Sequence, residues 1–209
     1  MEKNYVIHLS CTDGNWSGKL LGPEGEKSFQ GVDGLLEQLN LSQDPRLGQL
    51  WNMACTDQLT GLLNRRGLEE MAARMMDEEE RVTLFFLDVD NLKQINDTFG
   101  HLRGDLTLKN VAQALACAVG PRDVVGRIGG DEFVAVLRSA GDEAQLRTQR
   151  EALYRAVAAA DREIGLTVSL GICLAETKIG FAGMMERADQ ALYQVKRTGK
   201  QGFALFQEI

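Results

Sequence analysis

The sequence predicts an α/β (α+β) fold, a sandwich in which a central mixed sheet is flanked by helices. Segments with the patterns of strands and of helices alternate along most of the 209 residues. The run at 82–89 is apolar almost throughout, which is typical of a strand buried on both faces. Two further strand patterns, at 123–128 and 133–137, flank a glycine-rich turn and predict an antiparallel hairpin in the sheet.

The first elements form a segment that differs from the rest of the chain. The sequences YVIHLS (5–10) and SGKLLG (17–22) predict two short strands around the turn Thr12-Asp13-Gly14-Asn15. A short helix is predicted over Gly34–Leu39. A β-hairpin with one helix is too small to bury a core by itself.

A connector follows at Ser42-Gln43-Asp44-Pro45, because proline restricts the residue before it and has no backbone N–H to donate. We therefore predict a small N-terminal appendage over residues 1–45 and a main domain over residues 46–209. Two roles stay open for the appendage: a packing unit, or an element that dimerises the chain or receives a signal.

The main domain is predicted to begin with a helix over Asn64–Asp77, followed by the buried strand at 82–89. The polar segment 90–104 breaks this pattern, and the next helix is predicted over about 105–118. Apolar residues there repeat at the spacing of one helical face, namely Leu108, Val111, Ala112 and Leu115.

Beyond the hairpin, residues 142–160 have the pattern of an amphipathic helix and residues 166–175 alternate as in a strand. A last helix is followed by a terminal strand at 202–206. The apolar stripe of that helix consists of Met185, Ala188, Leu192 and Val195.

The composition excludes several classes of partner and location. The formal net charge of −7 and the pI of about 5.0 argue against binding to nucleic acid or to an anionic membrane. The sequence contains no apolar run long enough to span a bilayer, and its start lacks the pattern of a signal peptide. The four cysteines show neither metal-ligand spacing nor a disulfide framework, so we expect reduced thiols in a cytoplasmic protein: Cys11, Cys55, Cys117 and Cys173.

Four carboxylates stand where a buried core does not favour them. Asp88 and Asp90 come at the end of the buried strand, and Asp131 and Glu132 lie at the tip of the hairpin. Hard oxygen ligands from two neighbouring loops suit Mg²⁺, which completes its shell with water and substrate phosphates. Each motif alone is more typical of solvated turn residues than of a metal site. Neighbouring strands of one sheet would bring both acidic pairs to the same rim.

Polar and basic residues elsewhere offer contacts for a nucleotide. Asn96 carries both a donor and an acceptor, and Asp105 accepts two hydrogen bonds, which matches the N1–H and N2–H₂ edge of guanine. Asp105 is equally placed to cap the following helix. Lys196 and Lys200 either form a solvated face or supply positive charge for a triphosphate.

Five strings of this sequence resemble, in order and spacing, the GGDEF diguanylate cyclases. The resemblance covers about residues 50–206. Its strings are DQLTGLLNRRG (57–67), LDVDNLKQINDTFGHLRGD (87–105), RIGGDEF (127–133), TVSLGI (167–172) and ADQALYQVKRTGK (188–200).

The resemblance implies a fold like the palm of nucleotidyl cyclases and polymerases, and a set of site residues. Asp88, the backbone carbonyl of Val89 and Asp131 match the ligands of Mg²⁺, or of Mn²⁺ in its place, and Glu132 would orient or deprotonate the attacking hydroxyl. Lys93 would stabilise charge on the phosphates. The other matched positions contact GTP in the family: Asn91, Leu92, Asn96, His101, Asp105, Lys196 and Lys200.

The implied activity is the condensation of two GTP molecules into cyclic di-GMP, with release of pyrophosphate by metal-assisted phosphoryl transfer. Each domain of the family holds one GTP, so a homodimer is expected to be required. The alternative is a GGDEF-like module that binds GTP or cyclic di-GMP and regulates a partner without turnover.

Three positions depart from the family pattern. The inhibitory product site needs Arg-x-x-Asp, but residues 120–123 are Gly-Pro-Arg-Asp, so only Asp123 of that site is present and we expect weak or absent feedback inhibition. Lys200 replaces an arginine and loses its planar fork of donors. Asn91 replaces an aromatic residue or histidine at a position that acts through its backbone.

Overall fold

The computed structural model describes residues 6–12, 15–22, 25–30, 54–79, 81–138, 142–176 and 179–206. Contacts between Cα atoms divide the chain into two units, Met1–Asn52 and Met53–Ile209. The predicted helix over Gly34–Leu39 and the predicted connector lie outside the described residues.

The N-terminal unit contains a three-stranded antiparallel sheet. Strand β1 (Val6–Thr12) pairs with β2 (Asn15–Gly22), which pairs in turn with β3 (Gly25–Gln30). The first two strands agree with the predicted hairpin. Strand β3 was not predicted, because its sequence GEKSFQ has a single large apolar residue and no alternation. Its backbone groups nevertheless form hydrogen bonds with β2.

The second unit alternates helices and strands, as predicted. It begins with α1 (Arg65–Glu78), which the Asn64 side chain caps by accepting a hydrogen bond from the Gly67 N–H at 3.0 Å. The later elements are β4 (Arg81–Val89), α2 (Leu92–Phe99), α3 (His101–Ala118), β5 (Val124–Arg127), β6 (Glu132–Arg138), α4 (Glu143–Ala160), β7 (Val168–Glu176), α5 (Gly180–Arg197) and β8 (Phe203–Leu205).

The five strands of this unit form one mixed sheet in the order β5-β6-β4-β7-β8. Strand β4 lies at the centre and is antiparallel to both neighbours, while β8 runs parallel to β7. The predicted hairpin is the antiparallel pair of β5 and β6. The central position of β4 explains its apolar run, since both of its faces are covered by helices.

Alternate residues of β4 separate the core into two layers. Phe85, Leu87 and Val89 pack in one cluster with apolar residues of α2, α3 and α4. Val82, Leu84 and Phe86 pack in the other cluster with residues of α1 and α5. The predicted sandwich is therefore confirmed.

The polar segment 90–104, which was predicted to break the pattern, is largely helical. Helix α2 forms because Leu92 and Ile95 both enter the core from one face, while its polar residues stay outside. Helix α3 begins at His101 and not at residue 105, because Gly100, with a φ of 84°, turns the chain directly from α2 into α3. Asp105 therefore lies inside the helix, and its alternative role as the helix cap is wrong.

Helix α5 lies directly on strand β7 through a glycine contact. A Cβ atom at Gly171 would stand 2.0 Å from the carbonyl oxygen of Ala188 and 2.5 Å from the amide nitrogen of Leu192. No larger residue fits there without moving one backbone against the other. This close approach brings the C-terminal end of α5, with Lys196, to the end of β4.

The described part of the chain contains no helix with both the length and the apolar content needed to cross a bilayer. Within the same part, Cys55 and Cys117 carry free thiols.

Candidate active site

Three carboxylates meet where β4 ends beside the β5–β6 hairpin. Strand pairing places Asp88 directly opposite Glu132, and the Val89 N–H donates to the backbone carbonyl of Asp131 at 3.0 Å. The carboxyl groups are close enough to influence one another electrostatically. Burial raises the pKa of Asp88, and the charges of Asp131 and Asp90 raise it further against the opposing effect of Lys196. Three of the four acidic residues predicted to share one rim of the sheet, Asp88, Asp131 and Glu132, thus lie close together, and we call this group the rim.

The same environment acts on Glu132. Burial raises the pKa of its carboxyl group, and the negative charges of Asp131 and Asp88 add to the shift, while Lys196 and Arg65 oppose it. The rim therefore brings several carboxylates together in a partly buried position, and the nearby Lys196 and Arg65 offset only part of their mutual repulsion.

One of the two lysines of the last string, Lys196, lies at this rim. Lys196 Nζ donates a hydrogen bond to Asp88 Oδ2 at 2.6 Å. Burial alone would lower the pKa of Lys196, but the bond to Asp88 and the charges of Asp88, Asp131 and Glu132 raise it above its usual value. Lys200, which follows α5 with a φ of 65°, donates to the Asn91 side-chain oxygen at 2.9 Å.

Asp90 does not join the rim as the acidic motif predicted. Its Oδ1 accepts from the Ser169 hydroxyl at 2.7 Å, and its Oδ2 accepts from the Thr167 hydroxyl at 2.8 Å and from the Gln201 N–H at 3.2 Å. Only 3% of Asp90 is exposed, so these donors compensate a buried charge. Asp90 fastens the end of β4 to β7 and to the turn after α5.

The hairpin tip is held by a pair of residues that the sequence analysis did not single out. Arg127 donates to Asp57 Oδ1 at 3.0 Å and to the carbonyl oxygen of Gly130 at 2.7 Å. Burial opposes ionisation of Asp57, but hydrogen bonds from Thr60 and Arg127 outweigh it and hold its pKa below the usual value. The two residues lie 70 positions apart, so only knowledge of their spatial proximity could have identified the pair.

The residues predicted to read guanine lie on α2 and α3. Asp105 is exposed on α3, and the partly buried Asn96 faces Gly104 across the two helices. Lys93 and His101 are exposed at the starts of α2 and α3. The Leu92 side chain enters the core, which leaves its backbone for any contact with a ligand.

Asp123 lies away from the rim, in the turn before β5. Its Oδ2 accepts from the Gly120 N–H at 2.9 Å and its Oδ1 accepts from the Arg138 N–H at 3.0 Å. Both carboxylate oxygens therefore hold the turn against strand β6.

The donors at the rim fit a hard divalent cation. Among the described residues no group of three or more histidine, cysteine or acidic side chains is arranged to hold a metal by itself. Mg²⁺ does not need such a group, because one or two carboxylates with water and phosphates complete its shell. The mutual repulsion of Asp88, Asp131 and Glu132, balanced mainly by Lys196, leaves an excess of negative charge that a divalent cation would neutralise.

Comparison with known proteins agrees with this geometry. Residues 54–202 match the family model described as "Diguanylate cyclase, GGDEF domain". The chain belongs to the GGDEF domain family. The resemblance stated from the five strings is thereby confirmed.

Several relatives in this family carry the name diguanylate cyclase. DgcP of Pseudomonas aeruginosa is 37% identical over 193 residues, which are 85% of this chain and 29% of that protein. DgcS of Shewanella oneidensis is 32% identical over 191 residues, which are 88% of this chain and 64% of that protein. The chain thus spans less than two thirds of the length of these relatives.

Solved GGDEF structures share the fold. A microbial GGDEF domain studied with bis-(3,5)-cyclic di-GMP is 36% identical, with a TM-score of 0.65 over 75% of this chain and 99% of that one. The GGDEF domain of DgcB from Caulobacter crescentus, in complex with c-di-GMP, is 30% identical, with a TM-score of 0.63 over 74% of this chain and 97% of that one.

Proposed function

We propose that this chain is a diguanylate cyclase that condenses two GTP molecules into cyclic di-GMP and two pyrophosphates in a homodimer in the cytoplasm. The observation that supports it best is the rim, where Asp88 pairs opposite Glu132 beside Asp131 and a lysine. Membership of the GGDEF family and the names of the relatives support the same activity.

The reaction balances as two phosphoryl transfers. The 3′-oxygen of each GTP attacks the α-phosphorus of the other, a new P–O bond forms, and the bond to the bridging oxygen of the β-phosphate breaks. Each 3′-hydroxyl loses its proton and each pyrophosphate leaves in line. One domain with one GTP supplies half of this arrangement, so two domains must face each other.

Asp88, the carbonyl of Val89 and Asp131 would hold Mg²⁺, or Mn²⁺ in its place. When bound there, the cation would lower the pKa of the 3′-hydroxyl and neutralise charge on the leaving oxygens. Glu132, whose pKa is raised by burial and by its acidic neighbours, would orient the hydroxyl and accept its proton.

The remaining roles concern binding of GTP. Asn96 and Asp105 would read the guanine edge, with His101 beside them at the start of α3. The backbone of Asn91 and Leu92 would contact the phosphates. Three lysines would balance the charge of the triphosphate: Lys93, Lys196 and Lys200.

Turnover by the full chain tests the proposal. The protein is incubated with GTP and Mg²⁺, with ATP as the matched control substrate, and products are separated by chromatography. Cyclic di-GMP is expected from GTP only, and the rate per protein molecule should rise with protein concentration because two domains must meet. A protein that binds GTP as a demonstrated dimer but forms no dinucleotide would be a regulatory binding module instead.

Feedback inhibition through the turn at 120–123 is expected to be absent or weak. The Asp123 carboxylate is engaged by two backbone N–H groups, and Gly120 stands where the arginine of that site is needed. Calorimetric titration of cyclic di-GMP into protein saturated with 3′-deoxy-GTP, which lacks the attacking hydroxyl, should show no tight binding. Tight binding that Asp123→Ala abolishes would contradict this prediction.

A further inference from the structure

The contact between α2 and α3 depends on a glycine facing an asparagine. A Cβ atom at Gly104 would stand 1.9 Å from Asn96 Oδ1 and 2.9 Å from Asn96 Cγ, well inside contact distance. Gly104 is buried within α3 and is not among the residues with positive φ, so its backbone conformation does not require glycine. Glycine inside a helix costs about 1 kcal/mol relative to alanine. The space taken by the Asn96 amide explains why the residue is glycine.

This contact orients the Asn96 amide. Its Oδ1 is buried and has no hydrogen-bond partner among the described residues, whereas its Nδ2 is not among the buried atoms without a partner. Of the amide atoms, the carbonyl oxygen therefore lies nearest to the position that a Cβ atom of residue 104 would take. The amino end lies farther from Gly104, with Nδ2 3.4 Å from the same Cβ position, and its two donors can serve another group.

The backbone around this contact is fixed from both sides. The Gly100 N–H donates to the Asn96 carbonyl oxygen at 2.8 Å, which closes α2 where α3 begins. Next to Gly104, Arg103 donates to the buried Asp161 at 2.9 Å and so ties α3 to the end of α4. A displaced Asn96 amide can therefore move mainly by rotation of its own side chain.

We infer that Gly104 is a positioning residue for base recognition: it seats the carbonyl end of the Asn96 amide, so that Nδ2 donates to an acceptor on the base. The inference rests on the proposed GTP site and extends it. Asp105, one position further along α3, accepts from the donors of the same base. A purine with two adjacent donors and an acceptor could bond to both side chains, with its donors on Asp105 and its acceptor on Asn96. Guanine has this combination of groups.

If Gly104 only maintained the packing of the two helices, Gly104→Ala would lower the melting temperature. A positioning role leaves the melting temperature nearly unchanged. The atom that would meet a new methyl group is the end of a short side chain, which can rotate, so Gly104→Ala should leave the melting temperature within about 2 °C. Gly171 is the matched control, because its methyl group would meet the backbone of α5 at 2.0 Å. Gly171→Ala should lower the melting temperature by at least about 4 °C.

A double-mutant cycle on the full chain tests the inference. The dissociation constant of 3′-deoxy-GTP with Mg²⁺ is measured for the wild type, Gly104→Ala, Asn96→Ala and the double variant. Each single change should weaken binding about tenfold, the value of one hydrogen bond. In the double variant, Gly104→Ala should add less than about twofold, because the amide through which Gly104 acts is gone.

The outcomes separate this inference from the function on which it rests. If Gly104→Ala weakens binding equally with and without Asn96, or leaves binding unchanged in the wild type, the positioning role is wrong although the GTP site stands. If the wild type does not bind 3′-deoxy-GTP at all, the proposed function fails and the inference falls with it.

Discussion

Replacing Asp131 with asparagine should lower the rate of cyclic di-GMP formation about a thousand-fold while the protein keeps its fold. The Asp131 carboxylate makes no hydrogen bond with the described residues, and the backbone carbonyl that binds the Val89 N–H is retained in asparagine. The substitution therefore removes one negative charge from the rim and little else. We expect the cation to stabilise the charge of the transition state less well, by about 4 kcal/mol, and this loss corresponds to about three orders of magnitude in rate.

The measurement compares initial rates at saturating GTP and Mg²⁺, with melting temperatures as the check on folding. Glu69→Gln is the matched control, since it also removes one carboxylate charge but lies exposed on α1. The control should turn over within about twofold of the wild type, as is usual for surface changes. A variant at Asp131 that keeps more than a tenth of the wild-type rate would remove Asp131 from the proposed machinery.

The fold was predictable wherever burial leaves a periodic pattern in the sequence. Strand β4 is apolar because helices cover both of its faces, and the stripe of Leu108, Val111, Ala112 and Leu115 is buried on α3. The prediction was wrong where packing involves few residues. Helix α2 buries only Leu92 and Ile95, and β3 is held through its backbone hydrogen bonds to β2. Neither element therefore has enough apolar residues to show a helical or strand periodicity in the sequence.

The site was predictable in its acidic residues and not in the groups that arrange them. A carboxylate beside a buried strand is costly, and this cost makes Asp88 conspicuous in the sequence. Asp90 was wrongly placed with the metal-binding acids, because the hydroxyls of Thr167 and Ser169 that accommodate its buried charge lie far along the chain. Gly104 was overlooked as well, since its reason for being glycine is a neighbour on another helix.

Replacing Lys196 with methionine should change cation binding and nucleotide binding in opposite directions. In the nucleotide-free protein the Lys196 ammonium bonds to Asp88 at 2.6 Å and interacts with Asp131 and Glu132. It therefore neutralises part of the charge that attracts a divalent cation. Without it, the affinity for Mn²⁺ alone should rise about tenfold or more, because a neighbouring unit charge at an effective dielectric constant near 20 contributes several kcal/mol.

The affinity for GTP should fall at the same time, also by about tenfold, because the triphosphate loses a positively charged partner at the rim. The metal-free variant should be less stable than the wild type, because Asp88, whose side chain is 8% exposed, loses the ammonium that pairs with its buried charge. Binding of Mn²⁺ should restore the stability. Calorimetric titrations with Mn²⁺ and with 3′-deoxy-GTP measure the two affinities, and thermal denaturation with and without Mn²⁺ measures the third effect.

Lys200→Met provides the control for these three measurements. Lys200 donates to the Asn91 side-chain oxygen and not to a carboxylate, so its loss should weaken nucleotide binding without raising the affinity for Mn²⁺. A Lys196 variant whose affinity for Mn²⁺ is unchanged or lower would mean that the ammonium does not compete with the cation for Asp88. If loss of Lys196 raises the affinity for Mn²⁺ and lowers that for nucleotide, while loss of Lys200 lowers only the affinity for nucleotide, then the Lys196 ammonium occupies part of the cation's place in the nucleotide-free rim. The phosphates of GTP would then attract the Lys196 ammonium away from Asp88. The rim carboxylates would become available to the divalent cation that arrives with GTP.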